Sequence, residues 1–201
     1  MNWQLFGEVV VTLFVIMDPP GTVPVFLALT GNRRPAERKR AAWEAVAVAA
    51  GVIAVFALFG QTLLDYMHIS LPALQGAGGL LLLLVALELL TGKADHPETA
   101  AGTNVAMVPL GTPLLAGPGA IVATMVFVQD SDGGWDHLAL VLGVVVVLLC
   151  LWASMRFSVV LLRVLKESGI LLVTRIAGLL LSAIAVQLVA DSVRAFVEGA
   201  G

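Results

Sequence analysis

Polar residues are so sparse along this chain that they act as punctuation between long apolar runs. The runs predict six spans, near Leu5 to Leu29, Ala42 to Leu64, Ile69 to Leu90, Met107 to Val128, His137 to Phe157 and Val173 to Phe196. Each has about the 20 residues that a hydrocarbon core of roughly 30 Å demands of a helix. Inside them the pattern is continuously apolar and does not alternate, and open strands cannot satisfy their backbone in lipid, so helices are predicted over a barrel. The expected fold class is an all-α membrane protein with six transmembrane helices.

Composition removes the soluble alternatives. Hydrophobic residues make up 59% of the chain and charged residues 12%, with a mean hydropathy of +0.99. That leaves too few polar side chains to cover a water-soluble surface. The single cysteine, Cys150, lies within "LGVVVVLLCLWASM" and excludes disulfide frameworks and two-thiol relays. The opening "MNWQLFGEVV" has no Lys or Arg ahead of its apolar stretch, and that stretch outruns a signal peptide's core. The first helix is therefore expected to stay in the mature protein.

Charge sets the orientation. Arg33, Arg34, Arg38, Lys39 and Arg40 fill the first connection, Lys93 the third, and Arg163 and Lys166 the fifth, with Arg156 and Arg175 near the same side. The second connection, "DYMHIS", and the fourth, "QDSDGGWD", have no Lys or Arg, and only Arg194 opposes the trend. Both termini are expected to face away from the cytoplasm. A topology signal accounts fully for "RRPAERKR", so a nucleic-acid or regulatory patch is the weaker reading and no nucleic-acid partner is expected.

The two halves resemble each other. "AGGLLLLLVALELL", Ala77 to Leu90, aligns without gaps on "IAGLLLSAIAVQLV", Ile176 to Val189, at an offset of 99, with six of fourteen positions identical and Glu88 on Gln187. At nearly the same offset "PPG" of Pro19 to Gly21 meets "GPG" of Gly117 to Gly119. Three spans per copy is an odd number, so the second copy must be inverted, with a pseudo-twofold axis in the membrane plane. The expected units are residues 1–91, a cytoplasmic linker over 92–106, and 107–201.

The first helix carries "LFVIMDPPGTVPVFLALT", an aspartate, prolines and a glycine at mid-membrane. Proline lacks an N–H and clashes with the preceding turn, so the helix must break there. "PLGTPLLAGPGAIV" breaks the fourth helix in the same way. Irregular backbone at that depth needs protein or a polar cavity around it. Free N–H groups opening each second half-helix would suit an anionic group. Asp18, Pro19, Gly21, Thr22, Gly117, Pro118 and Gly119 are thus the substrate-binding candidates. Asp18 has a second reading as a plain helix cap, its oxygen taking the N–H of Gly21 or Thr22. An intramembrane acid is nevertheless functional by default. Pro24, Pro109 and Pro113 read as kinks.

Glu88, Arg175 and Gln187 are accessory polar candidates. For Glu88, snorkelling or pairing with Arg175 outranks a proton relay. Gly76, Gly78, Gly79 and Gly178 are expected to let helices approach closely. Trp3, Trp43 and Trp135 read as interfacial belt residues. His68, His96 and His137 lie in connections or at span ends without ligands at metal spacing. No "HExxH", "GxSxG" or Walker lysine loop is present, so neither an enzyme, a metal nor a cofactor is expected.

"MDPPGTVPVFLALT", "AGGLLLLLVALELL", "PLLAGPGAIVATM" and "TRIAGLLLSAIAVQLVADSV" together resemble the MarC family over nearly the whole chain. These are six-helix inner-membrane proteins, also classed as neutral amino acid transporters and grouped with LysE-like exporters. Asp18, Pro19, Gly21 and Pro24 match the family's first motif, Gly117, Pro118 and Gly119 its second, and Arg175, Gly178 and Gln187 its last. Pro20 stands where an aliphatic residue is usual. The resemblance implies an inner-membrane, proton-coupled carrier of small neutral amino acids. A passive channel and a non-transporting scaffold are the competing readings. Expected partners are a small-molecule solute and the lipid bilayer, with a homo-oligomer left open.

Overall fold

The computed structural model describes residues 2–30, 33–91, 115–131 and 133–198. Its elements are α1 (Trp3–Met17), α2 (Thr22–Thr30), α3 (Pro35–Met67), α4 (Leu71–Thr91), α5 (Pro118–Gln129), α6 (Gly134–Arg156) and α7 (Ser158–Glu198). Among the described residues there is no strand, as the unbroken apolar runs require. Among the described residues four helices are long and apolar enough to cross a membrane: α3, α4, α6 and Ser168–Glu198 of α7. The linker 92–106, Lys93, His96, Pro109, Pro113 and the start of the fourth span lie outside the described residues.

The first span is two shorter helices, α1 and α2, separated at Asp18 to Gly21. Two boundaries differ from expectation. α3 begins at Pro35 and draws most of "RRPAERKR" into its first turns. Proline is tolerated at that first position, and the Glu37 carboxylate three positions beyond Arg34 accepts the Arg34 N–H at 3.2 Å. The fifth connection is helical too. α7 is two helices in succession, the first starting at Ser158, that meet in a kink at Lys166, whose φ of 56° and ψ of 170° are not helical.

Small and branched residues on one face of α3 and α6 build the larger core. Ala41, Ala42, Ala45, Ala49 and Ile53 recur at helical spacing on α3, and Leu140, Val147, Leu151 and Met155 on α6. They close on Val9, Leu13 and Met17 of α1, Phe26 of α2 and Ala120 of α5. Trp152, for which the sequence carries no reading, packs against this core. Leu and Val side chains on the outer faces stay exposed, as lipid permits.

A second cluster joins α4 to α7 through Leu82, Ala86, Leu181 and Ala185, with Val15 of α1 beside them. Glycines set the spacing here. A Cβ on Gly79 would lie 2.8 Å from the Ala185 carbonyl oxygen, 2.8 Å from Val189 Cγ2 and 3.2 Å from Leu188 Cβ. A Cβ on Gly178 would lie 3.3 Å from the Ala86 carbonyl oxygen, 3.3 Å from Leu90 Cγ and 3.0 Å from Leu89 Cβ. Each residue of the first set sits 99 positions from its counterpart in the second.

Candidate functional site

The break in the first span is built around Asp18. α1 ends with Asp18 in the left-handed region (φ 39°, ψ 68°), its N–H donating to Phe14 O at 3.1 Å. A proline at 19 disfavours right-handed helix at the residue before it, and aspartate is one of the few side chains that tolerates the left-handed alternative. The chain then re-enters helix. Gly21 N–H donates to Asp18 Oδ1 at 3.2 Å. Thr22 N–H donates to Asp18 O at 3.0 Å and Val23 N–H to Pro20 O at 3.2 Å, while the Thr22 hydroxyl donates to Pro19 O at 2.8 Å.

This corrects one expectation. α2 does not open on a row of free N–H groups. Pro19, Pro20 and Pro24 have none to offer, and Gly21, Thr22 and Val23 spend theirs within the break. Asp18 is therefore a cap, as the plainer reading held, but a cap that uses only one carboxylate oxygen.

The other oxygen faces a second helix. Asp18 is 6% exposed, and its Oδ2 is buried without a hydrogen-bond partner; the same holds for Thr174 Oγ1 of α7. The two atoms flank Gly21. A Cβ on Gly21 would overlap the Asp18 carboxylate and come within 2.9 Å of Thr174 Oγ1. The two atoms interact weakly with each other, beyond the distance of a formed hydrogen bond; buried polar atoms are nearly always paired, so the gap between them marks a place where a donor or a proton belongs. An ionised carboxylate in mid-bilayer costs at least ~2.5 kcal/mol, and a single N–H bond offsets part of that.

The start of α5 approaches the end of α1 from the other half of the chain; the residues ahead of it lie outside the described ones. Gly117 is extended (φ −67°, ψ 166°) and α5 opens with Pro118 and no side-chain cap, Ala120 and Ile121 N–H groups returning to Gly117 O at 3.0 and 3.2 Å. Gly119 is buried; a Cβ there would overlap Leu82 of α4 and lie 3.4 Å from Ile16 Cγ2 of α1. The end of α1 and the start of α5 thus meet. Pro19 and Thr22 are buried at the first break, whereas Pro118 is exposed.

The accessory candidates lie apart. Glu88, Arg175 and Gln187 are exposed. Gln187 donates to both Asp191 carboxylate oxygens, at 2.9 and 3.0 Å. The ion pair formed among the described residues joins Arg40 to Glu44, so the Glu88–Arg175 pairing is not made. Thr174 is the residue that sequence reasoning missed. Its only signal was its place at the head of "TRIAG", where the adjacent arginine drew attention instead. Among the described residues no three His, Cys, Asp or Glu side chains come together as metal ligands would.

Comparison with known proteins identifies the family. The model of the MarC family integral membrane proteins matches residues 3–197. A UPF0056 membrane protein of Methanocaldococcus jannaschii is 36% identical, the match covering 96% of this chain and 98% of that one. A similar protein of Aquifex aeolicus is 35% identical over 94% and 92%, and the YhcE protein of Escherichia coli 29% over 98% and 96%. No solved structure matches. With a family match that runs from residue 3 to residue 197 and a relative 36% identical over almost its whole length, the chain belongs to the MarC family of integral membrane proteins.

Proposed function

We propose that this chain is a secondary transporter of small polar solutes, with neutral amino acids as its substrate class and its site between the two broken helices. The observation that carries the reading is the pair of unpartnered polar atoms, Asp18 Oδ2 and Thr174 Oγ1, beside a helix break inside an apolar bundle. Asp18 takes the substrate ammonium group or the coupling proton. Thr174 adds a hydroxyl that can donate or accept. The opening of α5 has Pro118 without an N–H and returns the N–H groups of Ala120 and Ile121 to Gly117 O, so the Gly119 N–H is the donor left there for the substrate carboxylate. Such a site recognises a zwitterion and performs no chemical step.

The architecture proposed with it is six helices in two inverted repeats, residues 1–91 and 107–201, in the inner membrane with both termini outside the cytoplasm. The exchange of contacts between α4 and α7 supports it. Gly79 meets Ala185 while Gly178 meets Ala86, and such an exchange of partners is what a twofold axis between two helices produces.

The test is uptake by the purified protein in proteoliposomes. Saturable accumulation of a neutral amino acid, lost in Asp18→Asn while the variant folds and inserts normally, is the expected result. Conductance without saturation would make the protein a pore. Wild-type uptake by Asp18→Asn at every pH would reduce Asp18 to its cap.

A further inference from the structure

α1 ends inside the bundle with its last backbone oxygens lacking their helical donors. The N–H groups that would meet the carbonyls of Val15 and Ile16, four positions on, belong to Pro19 and Pro20 and do not exist. The one that would meet Met17 O is on Gly21, and it donates to Asp18 Oδ1 instead. Val15 and Met17 are buried, so bulk water does not take the missing places. Helix carbonyls point along the axis toward the C-terminal end, which is the negative pole of the dipole. Asp18 Oδ2 and Thr174 Oγ1, both buried without a hydrogen-bond partner, lie at the same break. We propose that this break binds a monovalent metal cation, sodium or potassium, with Asp18 and Thr174 as side-chain ligands and carbonyls from the end of α1 completing the set. Its role as the coupling ion, in place of a proton, rests on the carrier reading above; its binding does not.

Number, spacing and charge each select a metal ion. A proton answers one oxygen and an ammonium group three, whereas a hard cation gathers about six. The break offers two side-chain oxygens and up to three carbonyls, and interrupted membrane helices coordinate cations through such C-terminal ends. The spacing agrees. Asp18 Oδ2 and Thr174 Oγ1 do not bond each other, yet a single atom at the Cβ position of Gly21 would touch both. A hard cation holds its oxygens at about 2.3–2.6 Å, which sets neighbouring ligands roughly 3.5 Å apart, too far to bond each other. Gly21, having no side chain, leaves the space beside the two oxygens open.

Charge fixes the valence. Asp18 brings one negative charge, and among the described residues no Lys, Arg or His pairs with it. A monovalent ion makes the break neutral. A divalent ion would leave a net charge in an apolar bundle, where burial is costly.

The test uses the full-length protein in a neutral detergent and choline chloride, with sodium chloride or, separately, potassium chloride replacing choline at constant ionic strength, and reads an apparent Kd from the thermal shift. Saturable stabilisation by a metal ion is expected, and the arm that saturates at the lower concentration names it. Asp18→Asn, which keeps an oxygen and loses the charge, and Thr174→Val should each weaken it about tenfold or more, equivalent to ~1.4 kcal/mol. Gly21→Ala, whose methyl occupies the space beside both oxygens, should abolish it. Asp65→Asn, at an exposed acid of α3, should leave it unchanged. If Asp18→Asn fails to fold, Thr174→Val and the wild-type titration still decide. Equal effects of sodium, potassium and choline, or metal-ion stabilisation that Thr174→Val and Gly21→Ala leave intact, overturn the proposal. So does stabilisation by acidification alone, which would assign the break to a proton, or by free alanine in choline with no metal-ion effect, which would assign it to an ammonium group. Cation binding without uptake in proteoliposomes would sink the carrier reading and leave the site standing; uptake equal in choline and in metal salt would do the reverse for the coupling role.

Discussion

Gly79 of α4 lies so close to Ala185 of α7 that a single added methyl group would stand 2.8 Å from the Ala185 carbonyl oxygen. A backbone oxygen in the middle of a helix cannot give way, so Gly79→Ala must push the two helices apart. Overpacking of this kind costs about 1–3 kcal/mol, against the ~1 kcal/mol that alanine gains over glycine in a helix. Gly51 of α3 has nothing within 4 Å of the same position. Thermal unfolding in one detergent should therefore rank Gly51→Ala at or above wild type and Gly79→Ala below it. A Gly79→Ala protein as stable as Gly51→Ala would mean that α4 and α7 do not pack as described.

Thr174→Val separates structure from function at the candidate site. Removing this buried hydroxyl loses only its weak interaction with the Asp18 carboxylate and takes away a desolvated polar group, so stability should stay nearly unchanged. If the hydroxyl instead binds substrate, the half-saturating concentration for uptake should rise about tenfold, the equivalent of ~1.4 kcal/mol. Thermal unfolding and concentration-dependent uptake on the same preparation decide it. Falling stability with unchanged uptake would place Thr174 in the packing alone.

Gly21→Ala should act through Asp18. The new methyl overlaps the carboxylate, which is the movable party, and also presses on Thr174 Oγ1. Uptake is expected to fall as far as in Asp18→Asn, and the double variant to be no worse than either single one, since both remove the same group from the same point. Additive losses would show that Gly21 matters for another reason. By contrast Gly119→Val is a poor probe of substrate binding, because its side chain would first collide with Leu82.

Orientation is testable by cysteine labelling after Cys150→Ala. Ser131 is a poor reporter, 8% exposed and with its hydroxyl bonded to Phe127 O at 2.6 Å. Gly134 is exposed, with nothing within 4 Å of an added Cβ. An impermeant reagent added to intact cells should label Gly134→Cys and Ser70→Cys and spare Ala36→Cys. Labelling at Ala36 with protection at Gly134 would invert the topology.

The sequence by itself determined what depends on neighbouring residues along the chain. An apolar run of about 20 positions must be a helix in lipid. Pro19 and Pro20 must interrupt the first of them, and Gly117 and Pro118 must mark the start of another helix. Even the close approach at Gly79 and Gly178 was legible, because small residues in such runs have few other uses. The helical course of the fifth connection was less so: the charges of Arg163 and Lys166 look like a loop to a hydropathy window, although a helix along the membrane surface tolerates them. Only the tertiary structure decided which side chains meet. Thr174 reaches Asp18 because α7 crosses beside the break, and one turn of helix in either direction would have presented another residue. Arg175, adjacent to Thr174, faces outward for the same reason, since successive residues on a helix point about 100° apart. The N–H groups of α2 were spent within the break because the left-handed turn at Asp18 folds its carboxylate back onto Gly21. Pro19 favours that conformation without requiring it, since extended backbone would serve as well before a proline, and so the sequence alone did not select it.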